Sequence, residues 1–138
     1  MTCFEWTSDI RLGHPQIDEQ HQRMLLLGEA IVRPLPDSAE HKPGLAQLRA
    51  LIDFAQEHFA FEEGLMLSVG YSELEQHAKY HASLLAELRT YYGKVQQGER
   101  TDHARQISFL WDWLVLHIDS QDRQLVEWLR LVDADRPL

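Results

Sequence analysis

Apolar residues recur at three-and-four spacing in four separate stretches, and no stretch alternates with the period of two that marks a strand. The first stripe is Ile17, Met24, Leu25, Ile31 and Val32. It predicts a helix over 15–33, begun by Pro15 and stopped before Pro34 and Pro36. Residues 34–43 read as a loop. A second helix over 43–67 carries Leu45, Leu48, Leu51, Ile52, Ala55, Phe59, Leu65 and Met66, and Ser68-Val69-Gly70 ends it. Ser72 and Glu75 have the spacing of a capping box and predict the start of a third helix, over 72–97. Its stripe is Leu74, Leu84, Leu85, Leu88, Tyr91, Tyr92 and Val95, and it runs out near Gly98. Thr101 or Asp102 can cap a fourth helix over 102–132, with Ile107, Leu110, Trp111, Leu114, Ile118, Leu125 and Trp128 facing inward. Residues 1–13 read as an extended arm that Phe4 and Trp6 could pin to the body. The pattern predicts one all-α domain over 1–138. Short connections favour antiparallel neighbours, so the expected architecture is an up-down-up-down four-helix bundle with an N-terminal arm.

Several polar residues share these apolar stripes. His21 lies four after Ile17 and three before Met24. His58 and Glu62 are four apart, in register with Leu51, Ala55 and Leu65. His77 and His81 are four apart between Leu74 and Leu84. His117 lies three after Leu114, and Asp122 follows five later. Residues four apart share a helix face, with Cβ atoms about 5–6 Å apart, so each pair can share a metal. The step from His117 to Asp122 is irregular, because five residues overshoot an ideal α-helical turn by about 140°. Asp122 joins the set only beside a second metal or through a local widening of the helix.

A single inward histidine is usually a satisfied core residue. Here each of the four helices brings one to its inward stripe, together with two carboxylates. Seven buried polar groups are costly without partners, and metal ions would satisfy all of them. Seven donors exceed the four of a tetrahedral zinc site. Imidazole and carboxylate without thiolate suit iron or manganese. The chain has no Glu-x-x-His motif of the carboxylate-rich di-iron proteins.

Composition narrows the remaining possibilities. The chain has 138 residues, eight of them histidine, and a formal net charge of −9. That charge argues against nucleic acid and against anionic membrane surfaces as partners. The single cysteine, Cys3, excludes a disulfide framework. No signal peptide and no membrane-spanning run is read, so a cytoplasmic location is expected. His14, His41 and His103 fall in loop or helix-start positions and are expected at the surface.

Four pieces taken together resemble the bacterial hemerythrins. They are Ile17-Asp18-x-x-His21, His58-Phe59-x-x-Glu62-Glu63-x-x-Met66, His77-x-x-x-His81 and Trp113-Leu114-x-x-His117-Ile118-x-x-x-Asp122. Each alone is weak; four in family order, one per expected helix, are specific. The resemblance implies two non-haem iron ions with an oxo or hydroxo bridge, and reversible O2 binding. His77, His81 and His117 would hold one iron and His21 and His58 the other, with Glu62 and Asp122 bridging. One coordination position would stay open beside His21 and His58, and O2 would enter there. Met24, Phe59, Trp113, Leu114 and Ile118 would form an apolar pocket wall. Asp18 is a candidate to orient an imidazole. The intact ligand set favours a binding protein, for O2 transport, storage, delivery or sensing. The alternatives are a di-iron redox enzyme handling peroxide or NO, and an iron-repair protein. No catalytic residue is assigned, no protein partner is identified, and a monomer is compatible with the chain.

Overall fold

Four rods account for the secondary structure in a computed structural model of the chain, which describes residues 10–32, 44–98 and 103–135. The side chains of residues 103, 104, 117, 119 and 133–135 lie outside that description. The expected anchors Phe4 and Trp6, the cysteine Cys3, the 34–43 loop with His41, and the caps Thr101 and Asp102 also lie outside the described residues. The helices are α1 (Pro15–Val32), α2 (Leu45–Val69), α3 (Leu74–Gln96), α4 (His103–His117) and α5 (Arg123–Asp135). A π-helical turn, Ile118–Asp122, joins α4 to α5, so these three make the fourth rod. Helix α2 packs between α1 and α3, and α1 also packs on α4. Side chains close the ring between the third and fourth rods. The Trp113 indole Nε1–H donates to Leu84 O at 3.0 Å, and the Tyr91 and Phe109 rings lie 5.0 Å apart. The result is an all-α four-helix bundle of antiparallel neighbours.

The inward stripes form its core. Ile17, Met24, Leu48, Leu51, Leu88, Leu110, Leu114, Ile118 and Leu125 are completely buried. Each such side chain contributes about 1.5–3 kcal/mol through burial. The polar centre sits among these layers, and their hydrophobic gain offsets its desolvation. Leu45, at the start of the second stripe, is exposed. No described helix is long and apolar enough to cross a membrane.

Helix ends follow local chemistry, with one difference from the pattern. His14 caps α1: its Nδ1 accepts from Ile17 N at 3.3 Å and its carbonyl accepts from Asp18 N at 2.8 Å. The side chain is half-buried by this role rather than freely exposed. Helix α2 continues to Val69 and closes on Gly70, whose φ of 67° is left-handed. There Tyr71 N donates to Met66 O at 3.0 Å, which satisfies an otherwise free carbonyl. The Ser72–Glu75 capping box does not form. Helix α3 starts one turn position later, with Glu73 as the cap residue and no side-chain cap hydrogen bond. The turn set by Gly70 and Tyr71 decides that start.

Gln106 is a polar residue in the core that takes no part in the histidine cluster. It is completely buried on α4, and neither its Oε1 nor its Nε2 has a hydrogen-bond partner among the described residues. Replacing a buried amide by an apolar chain of the same shape removes a desolvation cost without creating a cavity. Gln106→Met is therefore expected to raise stability by about 1–2 kcal/mol, read as a higher denaturation midpoint at unchanged m-value.

Candidate metal centre

Each rod delivers its polar residues to one level of the core. His21 (α1), His58 and Glu62 (α2), His77 and His81 (α3) and Asp122 (the π turn) are all buried to within 1% exposure. Charged and imidazole groups are found this deep only when paired or metal-bound. The side chain of His117, at the end of α4, lies outside the described residues.

The π turn resolves the irregular step. A π turn closes after five residues rather than four, so Asp122 returns to the inward face of the rod instead of lying off it. Ser120 supports the wide turn locally, because its hydroxyl donates to Leu116 O at 2.6 Å. This is the back-bonding that loosens a regular helix. Of the two ways Asp122 could reach the cluster, local widening is the one the backbone adopts.

The imidazoles converge on the two carboxylates. Asp122 Oδ2 lies 2.7 Å from His21 Nε2 and 3.3 Å from His58 Nε2, while Asp122 Oδ1 lies 3.0 Å from His77 Nε2. Glu62 Oε1 lies 3.0 Å from His81 Nε2, 3.5 Å from His58 Nε2 and 3.6 Å from His77 Nε2. Two groups of donor atoms result. One is His21, His58, Glu62 and Asp122; the other is Glu62, His77, His81 and Asp122. Within each group the atoms lie within 4.8 Å of one another, and both carboxylates belong to both groups.

The electrostatics are those of a centre built for cations. Burial raises the Glu62 carboxyl well above its ordinary range; the Asp122 charge, a hydrogen bond shared with Asp122 and the Glu63 charge push it further. No N–H of the described residues donates to either Glu62 oxygen. Burial lowers the His21 imidazole, against the opposing hydrogen bond and charge of Asp122. The neutral imidazole is the form that ligates metal. A carboxyl raised by burial beside an imidazole lowered by burial is a donor pair on which a metal ion would compete with protons.

Outer contacts fix the ring orientations. His58 Nδ1 is 2.6 Å from Gln20 Oε1, and His81 Nδ1 is 3.1 Å from Glu63 Oε2. Oxygen acceptors call for the Nδ1–H tautomer, so each Nε2 turns its lone pair toward a carboxylate oxygen. Two acceptors face to face at about 3 Å need a proton or a cation between them. The residues present therefore fit metal ions on the structure's own terms. Asp18 does not act as an orienting partner. Its two carboxylate oxygens instead accept from Leu12 N and Gly13 N, at 2.8 and 2.9 Å, and tie the end of the arm to α1. Arg130 donates to Leu12 O and fastens the same segment to α5.

The apolar neighbours expected to wall the site are all in the core. Met24, Leu114 and Ile118 have no exposure, and Phe59 and Trp113 have almost none. The Phe59 ring stacks flat on His81, with centroids 4.0 Å apart and an interplanar angle of 11°, and lies tilted at 5.6 Å from His58. It therefore packs against both groups rather than only the one with His21 and His58. Gln20 and Glu63 escaped the periodicity because they are half-buried and off the apolar stripes. Their one signal is adjacency, since each directly neighbours an inward donor in sequence.

Comparison with known proteins agrees with this geometry. Residues 12–129 match the hemerythrin HHE cation binding domain family. The chain is 30% identical over 130 residues to a bacteriohemerythrin of Pseudomonas paraeruginosa, covering 94% of this chain and 84% of that protein. It is 25% identical over 119 residues to a myohemerythrin of Riftia pachyptila, covering 86% and 88% respectively. A crystal structure of a hemerythrin variant superposes with a TM-score of 0.79 at 25% identity, over 92% of this chain and 97% of that one.

Proposed function

We propose a function from one premise: the chain belongs to the hemerythrin HHE cation binding domain family. On that premise it binds O2 reversibly at two non-haem iron ions held inside the bundle. The observation that carries this reading is the pair of four-donor groups sharing Glu62 and Asp122. His21 and His58 would hold one ion. His77 and His81 would hold the other, joined by His117 as the resemblance to the hemerythrins implies. Glu62 and Asp122, common to both groups, would bridge. Held there by these residues, two iron ions would supply the redox chemistry of reversible O2 binding.

The protein's own part is to bind, orient and exclude. The Nε2 atoms are aimed inward by the helix faces and by the Nδ1 contacts of His58 and His81. Glu62 would serve the ions as a carboxylate, so loading would release any proton it carries. Met24, Phe59, Trp113, Leu114 and Ile118 keep water away from the centre. The intact set of five histidines and two carboxylates favours a binding protein over an oxidase.

Leu114 is completely buried one turn before His117 on α4. Leu114→Ala is expected to keep both irons and to shorten the lifetime of the O2-bound state by admitting water. Stability should fall by about 2–5 kcal/mol for a truncated core leucine. The decay of visible absorption under air measures the lifetime, and an unchanged decay removes Leu114 from the wall.

The function itself is tested by loading the full chain with ferrous iron without air, adding O2, and recording the visible spectrum. A band that appears with O2 and vanishes on deoxygenation is the expected result. Immediate irreversible oxidation with no such band would favour a redox enzyme handling peroxide or NO.

A further inference from the structure

We propose that Gln20 and Glu63 are positioning residues that make the two halves of the centre electronically unequal, an inference that rests on the di-iron reading above. Each contacts the Nδ1 of one proposed ligand. Gln20 Oε1 is 2.6 Å from His58, in the group with His21, and Glu63 Oε2 is 3.1 Å from His81, in the group with His77. The two acceptors differ in charge. A carboxylate draws the Nδ1 proton more strongly than an amide oxygen does, and so leaves Nε2 the better electron donor. The ion held by His77 and His81 therefore sees a more basic imidazole than the ion held by His21 and His58. Its oxidised form is the more stabilised of the two.

The placement of the two residues makes the difference structural rather than incidental. Gln20 precedes His21 on α1 but bonds His58 on α2. Glu63 follows Glu62 on α2 but bonds His81 on α3. Each residue thus adjoins one inward donor in sequence and orients another on the next helix. His81 is held by Glu63 at its ring edge and by Phe59 against its ring face, 4.0 Å away. Its orientation leaves little room to compensate for a changed partner.

The test uses the full chain reconstituted with ferrous iron at one alkaline pH, with iron content and reduction potential measured for each protein. Glu63→Gln keeps a hydrogen-bond acceptor and removes the charge. It is expected to hold two irons and to raise the potential. Gln20→Glu adds the charge on the other side and is expected to lower it. Glu63→Ala removes the acceptor and should weaken affinity for one of the two ions by about 10–100-fold. A purely structural role for Glu63 predicts that Glu63→Gln leaves the potential unmoved. The inference is overturned if both charge variants keep the wild-type potential or shift it in the same direction while the wild type holds two irons. If the wild type itself takes up no iron, the di-iron reading falls and this inference falls with it.

Discussion

Asp122→Ala is expected to abolish stable binding of both metal ions, not of one. The Asp122 carboxylate contacts His21 and His58 through Oδ2 and His77 through Oδ1, so its removal touches both donor groups at once. Replacing one oriented outer partner typically costs 10–100-fold in affinity, and a shared ligand should cost more than about 100-fold. His77→Ala is the matched control. It belongs to one group only, and should weaken chiefly the ion held with His81. Iron content after anaerobic reconstitution and desalting distinguishes the two variants, with far-ultraviolet circular dichroism reporting the fold. The bundle should survive Asp122→Ala, because removing Asp122 also removes a negative charge that burdens Glu62. Retention of two irons by Asp122→Ala would refute the bridging assignment.

The second large effect concerns the metal-free protein and pH. Glu62 is raised well above its ordinary value of 4.5, first by burial and then by the negative charge of Asp122. Above the unfolded value and up to the raised native value, the folded chain binds the extra proton. Stability is therefore fully present at low pH and is lost as pH rises through the native value of Glu62. The slope of a single such group approaches about 1.4 kcal/mol per pH unit. His21 acts oppositely. Its native value is lowered by burial, so its contribution is lost as pH falls below its ordinary 6.5. The Glu62 decline runs from its ordinary 4.5 up to its raised native value, and above 6.5 His21 no longer opposes it.

Glu62→Gln should remove that decline and stabilise the metal-free chain, at pH values where wild-type Glu62 has lost its proton, by about 1–3 kcal/mol, the cost of a poorly partnered buried group. The same variant should bind iron poorly. Iron itself should abolish the decline in the wild type, because a cation takes the place of the proton. Denaturant titrations of metal-free wild type, metal-free Glu62→Gln and iron-loaded wild type across pH measure all three. Parallel pH profiles for the two metal-free proteins would sink the account.

The opposition between the folded state and its own centre explains the rest of the molecule. The polar cluster needs burial to aim its donors and to exclude water, and burial disfavours every charge in it. Complete burial of residues such as Ile17, Leu48, Leu51, Leu88, Leu110 and Leu125 on all four rods supplies the offsetting hydrophobic gain. The arm contributes by a different route. Asp18 and Arg130 both bind the backbone near Leu12, which closes the end of the bundle beside α1 and α5.

The amino-acid sequence alone determined the helices and the identity of the inward donors. A period near 3.6 residues places His21, His58, Glu62, His77 and His81 on apolar stripes whatever the bundle does next, because side-chain direction on a helix follows from the backbone geometry. Pro15 and Gly70 likewise act through local backbone preferences, and α1 starts and α2 ends beside them. Tertiary structure decided what local periodicity does not encode. Asp122 reaches the cluster only because the rod widens into a π turn, a departure from the very period by which the stripes were found. The Ser72 cap gave way to the turn that carries the chain from α2 into α3. Asp18, next to a stripe and acidic, turned outward to the arm, while Gln20 and Glu63 orient imidazoles on neighbouring helices. Which half-buried side chain meets which ring across a helix interface depends on how the rods are set against one another. That setting comes from the packing of the whole core and not from any single segment.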